Sequence, residues 1–230
     1  MTRTMRIRWF FAALLIVALA PISGAVAPAK APSTLDEVLR EVQKRQASVK
    51  TLQAEFKQEK TLAMLAKPQL EHGTFLYEKP DQVRWNYSEP NPVTMMISGG
   101  RMTTYYPKLG RAETLGVSRF QDRIFKYMGA ANAIGELSTW FKFRFSDRKG
   151  DSTWKLQLLP KTSQVAKRVK ELTIWIDRKS FLTSKIEYVE ADGDVTSYEF
   201  TAIRVNEPVP AGTFVLKLPS TVKVQTIKLD

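Results

Sequence analysis

The sequence predicts a mainly β fold with a minority of helix (α+β). The expected architecture is one large, strongly curved antiparallel sheet or open barrel of about ten or eleven strands, with helices over its concave apolar face. Three observations predict it. From Leu52 onward, apolar and polar residues alternate with a period of two, in short runs broken by glycine, proline and charged pairs. Helical spacing is confined to two places, one beginning at Thr34 and one between Ser118 and Phe141. No spacing supports strand-helix-strand crossovers, so the strands pair antiparallel and the helices have only the sheet on which to bury their apolar stripes.

The elements follow in chain order. After a Pro/Ala linker, Pro28 to Pro32, Thr34 and Glu37 form a T-x-x-E capping box. Leu35, Val38, Leu39, Val42 and Val49 recur at helical spacing, with Asp36, Arg40, Glu41, Lys44 and Arg45 off that stripe, so an amphipathic helix spans about Thr34 to Lys50. Leu52, Ala54 and Phe56 then alternate with Gln53, Glu55 and Lys57 in a half-buried strand. Further strands are expected at Gly73 to Glu78, Gln82 to Tyr87, Val93 to Ser98, Arg101 to Tyr106 and Arg111 to Leu115, with Gly99-Gly100 as a tight hairpin turn. In YEKPDQVRWNYSEP, Tyr77 to Pro90, two prolines bracket a strand with Val83, Trp85 and Tyr87 on one face and Arg84, Asn86 and Ser88 on the other.

Between Ser118 and Phe141 two apolar sets align, first Phe120, Ile124, Tyr127 and Met128, then Ile134, Leu137, Trp140 and Phe141. Gly129 and Gly135 interrupt them; each interior glycine costs about 1 kcal/mol against alanine, which predicts two short helices or a kinked one. Strands resume at Lys142 to Phe145, Trp154 to Leu159, Val169 to Asp177, Thr183 to Glu190, Val195 to Val205 and Thr213 to Lys217. Asp192-Gly193 fits the turn of a hairpin joining Ile186 and Tyr188 to Tyr198 and Phe200.

Residues 1–29 read as a signal peptide, because Arg3, Arg6 and Arg8 precede the apolar run Trp9 to Ala20, which ends at Pro21. That run is well short of the roughly 20 residues a membrane span requires. Ala25-Val26-Ala27 fits small-x-small but sets Pro28 just after the cut, so cleavage after Ala25 or Ala29 fits as well. Residues 30–230 are then one exported domain. With no cysteine, the chain has no disulfide and no cysteine to carry a lipid anchor. The net charge is +12, and the signal carries three of the arginines and no acid. The mature chain stays basic, which favours an anionic membrane surface or acidic proteins as partners. Nucleic acid is excluded by the export signal and by the absence of any basic-aromatic binding motif.

The chemistry of a catalyst is not legible. Cysteine nucleophiles and thiolate metal sites are excluded by count, and His72 has no second imidazole for a metal and no serine partner in a motif, so it reads as a surface or turn histidine. Glu190, Asp192 and Asp194 lack the ligand number and loop length of a calcium site and read as a solvated hairpin. Other carboxylates, as in Asp147-Arg148, Lys170-Glu171 and Asp177-Arg178, sit beside cations and read as surface charge. Neither G-x-x-x-x-G-K-[ST] nor G-x-G-x-x-G is present, so no nucleotide is expected. The expectation is a protein with no cofactor, no metal and no enzymatic activity. The basic residues are scattered along the chain and read as a charge-decorated outer face.

What stands out is large, soft apolar side chains. Singly, Trp85, Tyr87, Met95, Met96, Ile97, Met102, Tyr105, Tyr106, Phe120, Phe125, Met128, Trp140 and Phe141 read as core. Together, under interrupted helices, they read as the lining of an adaptable site for a floppy apolar guest, since methionine and aromatic rings reshape with little strain. The expected wall is Val83, Trp85, Tyr87, Met95, Ile97, Phe120, Ile124 and Met128.

An ordered series of motifs runs through Leu52-x-Ala54-x-Phe56-x-Gln58, Gly73-x-Phe75-x-Tyr77-x-Lys79-Pro80, Val83-Arg84-Trp85-x-Tyr87, Ser98-Gly99-Gly100 and Tyr105-Tyr106-Pro107. It continues in Leu156-x-Leu158-x-Pro160-Lys161 and Phe214-x-Leu216-x-Leu218-Pro219. This series resembles the periplasmic lipoprotein carrier family LolA. The resemblance implies an unclosed β-barrel with a helical lid, holding the acyl chains of lipidated proteins. It also implies a monomer that takes cargo from an inner-membrane ABC-type release complex and passes it to an outer-membrane receptor or to the outer membrane directly. The family's lid is held in part by an arginine where this chain has Lys79; lysine lacks the planar fork of donors, so this departure implies that the lid closes more weakly or that gating is shared between Lys79 and Arg84. A second reading is a periplasmic domain of the same fold that senses lipid or lipoprotein and signals to a membrane partner. Such a domain is expected to carry an added partner-binding domain, and this chain ends soon after its last strand.

Overall fold

The computed structural model describes residues 31–64, 67–116 and 134–227. The first helix, α1 (Leu35–Ser48), forms where the capping box places it. Thr34 Oγ1 accepts from the Glu37 N–H at 3.3 Å, and the Glu37 carboxylate accepts from the N–H groups of Ser33 and Thr34 at 2.8 and 3.1 Å. These bonds satisfy donors that the first turn leaves free. The helix ends at Ser48 rather than at Lys50, because Val49 turns extended and feeds the first strand.

Among the described residues twelve strands follow: β1 (Thr51–Thr61), β2 (Gln69–Glu78), β3 (Gln82–Tyr87), β4 (Val93–Ser98), β5 (Arg101–Tyr106), β6 (Arg111–Gly116), β7 (Phe141–Ser146), β8 (Thr153–Pro160), β9 (Val169–Asp177), β10 (Thr183–Glu190), β11 (Val195–Val205) and β12 (Lys223–Thr226). Among the described residues, two one-turn α-helices, α2 (Ile134–Leu137) and α3 (Ser163–Ala166), and a 3-10 turn at Pro107–Leu109 interrupt the series. All strands join one open sheet in the order β12-β6-β5-β4-β3-β2-β1-β11-β10-β9-β8-β7. Gly99 and Gly100 turn β4 into β5 with φ of 57° and 72°, left-handed values that glycine adopts without steric cost.

Three expectations are corrected. The sheet is mixed rather than wholly antiparallel, because β12 runs parallel to β6. Residues 206–222 leave β11 and cross the polar face of the sheet, and the chain then enters beside β6 in the same direction. On the way, Thr51 Oγ1, Gln53 Nε2 and Arg84 Nη1 donate to the carbonyls of Glu207, Pro208 and Thr213. The alternating run Thr213 to Lys217 is turn and coil within this strap, whereas β12, exposed at every position, shows no alternation of burial to betray it. Phe141 opens β7 rather than continuing a helix; the rest of the expected helical segment, up to residue 133, lies outside the described residues.

Register carries one apolar face across the sheet. Leu52, Tyr77, Val83, Ile97 and Met102 stand side by side across β1 to β5, and Ala54, Phe75, Trp85 and Met95 form the next row. On the other half, Tyr198, Ile186, Ile174, Leu156 and Phe145 continue it to the β7 edge. Val38 and Val42 of α1, with Val49 just past it, are buried in the same core cluster, as are Ile134 and Leu137 of α2.

Candidate functional site

The centre of the apolar face is an aromatic cluster built by neighbouring strands. Phe56 on β1 meets the Trp85 ring edge-on at 4.7 Å, and Phe75 on β2 meets it at 4.6 Å. Tyr198 and Phe200 on β11 close on the same indole at 5.2 and 5.9 Å. Edge-to-face geometry of this kind adds to the burial of large apolar surface. Gly73 makes room: a methyl there would stand 1.9 Å from the Asn86 carbonyl oxygen and 2.9 Å from the Phe56 ring.

Beside the aromatic centre lies a band of hydroxyls. The Tyr87 hydroxyl donates to Gln58 Oε1 at 2.7 Å and stands 3.4 Å from the Tyr198 hydroxyl. Burial pushes the Tyr87 phenol up to about 12 and raises Tyr198 well above 10; Tyr188 is raised by the same cause. Beyond the band the face becomes charged, with Lys60 Nζ at 3.8 Å from Glu190 and 4.0 Å from Asp194.

The expected wall residues separate into groups. Val83, Trp85 and Ile97 are 0%, 0% and 1% exposed and belong to the closed core. Tyr87 and Met95 are half-buried on the same face, joined by Met102. Phe120, Ile124 and Met128 lie outside the described residues. Lys79 Nζ donates to the Ala47 carbonyl at 2.9 Å, in the last turn of α1, where the helix leaves carbonyls free. Arg84 stands on the polar face, where Nε donates to Asn86 Oδ1 at 2.9 Å and Nη1 to the Thr213 carbonyl at 2.6 Å.

Phe75, Tyr198, Phe200 and the Gln58 amide complete the site and were not expected in it. Their alternation marks each as inward, but Gln58 lies 29 residues from Tyr87 and Tyr198 lies 111 from it, a distance only sheet pairing closes. His72 is exposed on β2. The acids of the β10–β11 turn hold backbone: Asp194 Oδ1 accepts from Ala63 N–H at 2.9 Å and Asp192 Oδ1 from Asp194 N–H at 3.1 Å. Among the described residues, no three His, Cys, Asp or Glu side chains gather to hold a metal.

These features define a protein that presents one apolar sheet face, aromatic at its centre, with a helix packed against it. A family model described as outer membrane lipoprotein carrier protein LolA matches residues 47–217, and the chain belongs to that family. No curated protein matches. Among solved structures, an uncharacterized conserved protein from Thermus thermophilus is similar at 9% identity and a TM-score of 0.53, over 84% of this chain and 98% of that one. A LolA superfamily protein from Nitrosomonas europaea aligns at 12% identity and a TM-score of 0.43, over 80% and 99%. A chain of the Pseudomonas aeruginosa MucA/MucB complex aligns at 13% and 0.44, over 83% and 63%. At 9% identity the Thermus likeness shows the fold alone.

Proposed function

We propose that this chain is a periplasmic carrier that shields the acyl chains of lipidated proteins on the apolar face of its sheet. In this role it moves them from an inner-membrane release complex to an outer-membrane receptor or to the outer membrane itself. The observation that carries the reading is the continuity of that face. It runs past the closed aromatic centre to half-buried Tyr87, Met95 and Met102 on one side and Phe143 and Phe145 on the other. An alkyl chain laid along such a surface gains roughly 25 cal/mol for each Å² removed from water, and methionines conform to it without strain.

Val83, Trp85 and Ile97 form the floor of this site. Phe120, Ile124 and Met128, outside the described residues, are assigned by this reading to the same guest-binding wall. Lys79 acts as a latch on the end of α1, and Arg84 steadies the strap behind the wall. Guest and cover compete for the same apolar surface, so release needs no nucleotide at the carrier; covering the face again expels the guest.

The test uses inner-membrane vesicles loaded with a radiolabelled lipoprotein and the mature chain added from outside. The expected result is release of lipoprotein into the soluble fraction in complex with the chain, and a drop in that release of about tenfold or more in M95E/M102E. The positions are chosen because they are half-buried, so the circular dichroism spectrum is expected to stay unchanged. Undiminished release by the folded variant overturns the assignment of the wall. Absence of any release or co-purifying acyl chain with the wild-type chain overturns the carrier reading and favours the sensing one.

A further inference from the structure

Cations of neighbouring strands and the turn between them meet on the polar face at the β7 edge of the sheet. Arg144 on β7, Arg148 in the β7–β8 turn and Lys155 on β8 line a hollow of about 540 Å³ together with Asp151 and Trp175. Lys155 Nζ lies 5.3 Å from the centre of the Trp175 ring, and Lys185 on β10 lies 4.8 Å from it. The indole is half-buried, and Arg144, Arg148 and Lys155 are exposed.

The local charge is not cancelled. Asp147 is engaged by Arg178, Glu187 stands 3.3 Å from Lys185, and Asp177 accepts from Lys179 N–H, Ser180 N–H and the Ser180 hydroxyl. Asp151 is the acid left facing Arg144, Arg148 and Lys155 across the hollow. Guanidinium groups present planar pairs of donors that match phosphate oxygens. A tryptophan flanked by lysines suits the boundary between headgroups and acyl chains, where its ring is apolar and its partners are charged.

We propose that this hollow is a docking site for the anionic phospholipid surface of a membrane, with phosphate groups seated between Arg144, Arg148 and Lys155 and the Trp175 ring lying at the headgroup level. The site lies on the face opposite the aromatic cluster, so docking leaves the apolar side free. It stands independently of the carrier reading, because it uses other residues and another ligand.

The experiment is co-sedimentation of the mature chain with vesicles of phosphatidylcholine alone and of phosphatidylcholine with phosphatidylglycerol at moderate salt. Binding is expected only to the anionic vesicles. Each basic residue near such a surface is worth about fivefold in affinity, so R144E/K155E is expected to bind at least about 25-fold more weakly. K44E/K223E has the same net charge, altered at exposed positions elsewhere, and is expected to bind within about twofold of wild type. Equal weakening of both double variants, or no binding of the wild type, overturns the proposal. So does binding of soluble polyglutamate through Arg144 and Lys155 with no binding to vesicles, which assigns the hollow to acidic protein instead. Thermal unfolding of each variant verifies that it is folded.

Discussion

At the scale of single residues, the hydroxyl band and one glycine carry sharp consequences. Tyr87 and Tyr198 hold their protons more tightly when folded than the ordinary phenol value near 10, because burial penalises the phenolate. Their contribution to stability is therefore fully present below pH 10 and is lost as pH rises through about 12, the value reached by Tyr87. Tyrosinate absorbance is expected to show these two phenols ionising together with loss of near-ultraviolet dichroism. Tyr198→Phe should move that alkaline transition to higher pH relative to the variant's own neutral-pH stability. Gly73→Ala is expected to destabilise by about 3 kcal/mol in urea denaturation, since its methyl would meet backbone that cannot swing aside. The sequence marks Gly73 as a strand residue; that the Phe56 ring occupies the space beside it follows only from the pairing of β1 with β2.

Helices and strands show which signals are local. The capping box of α1 was legible because Thr34 and Glu37 are three residues apart and bond each other's backbone. Thr34→Ala is expected to cost about 1 kcal/mol of stability by thermal or urea unfolding. Glu37 is held near 2 by N–H groups of Ser33 and then Thr34, below the ordinary 4.5. Its support of the cap is thus present above pH 4.5 and fades as pH falls through about 2, which far-ultraviolet dichroism of wild type against Glu37→Gln can follow. Phe141 illustrates the opposite case. An apolar pair, Trp140 and Phe141, satisfies a helical stripe as well as the start of a strand, and pairing of Phe141 with Pro160 on β8 decides for the strand.

For the whole molecule, the strap from Asn206 onward ties the middle of the sheet, at β1 and β11, to its β6 edge. Asn206 Oδ1 accepts from Lys50 N–H at 2.7 Å, and the chain ends its crossing as β12 on the edge of β6. Truncation after Val222 is expected to lower the melting temperature and to increase self-association, measured by light scattering, because the backbone groups of β6 lose their partner. The apolar face and the basic hollow are both properties of the assembled sheet. By itself, the sequence determined the inward and outward sides of most strands, the start of α1 and the ordered motifs of the LolA family, because alternation, capping and turn chemistry act between near neighbours. Only the tertiary structure decided that Trp85 is closed in by β11, that β12 runs parallel to β6, and that Lys155 and Lys185 close on one tryptophan beside a hollow lined by Arg144 and Arg148. Those outcomes depend on which strands lie side by side, and that is settled by long-range burial and hydrogen bonding across the whole sheet rather than by any stretch of adjacent residues.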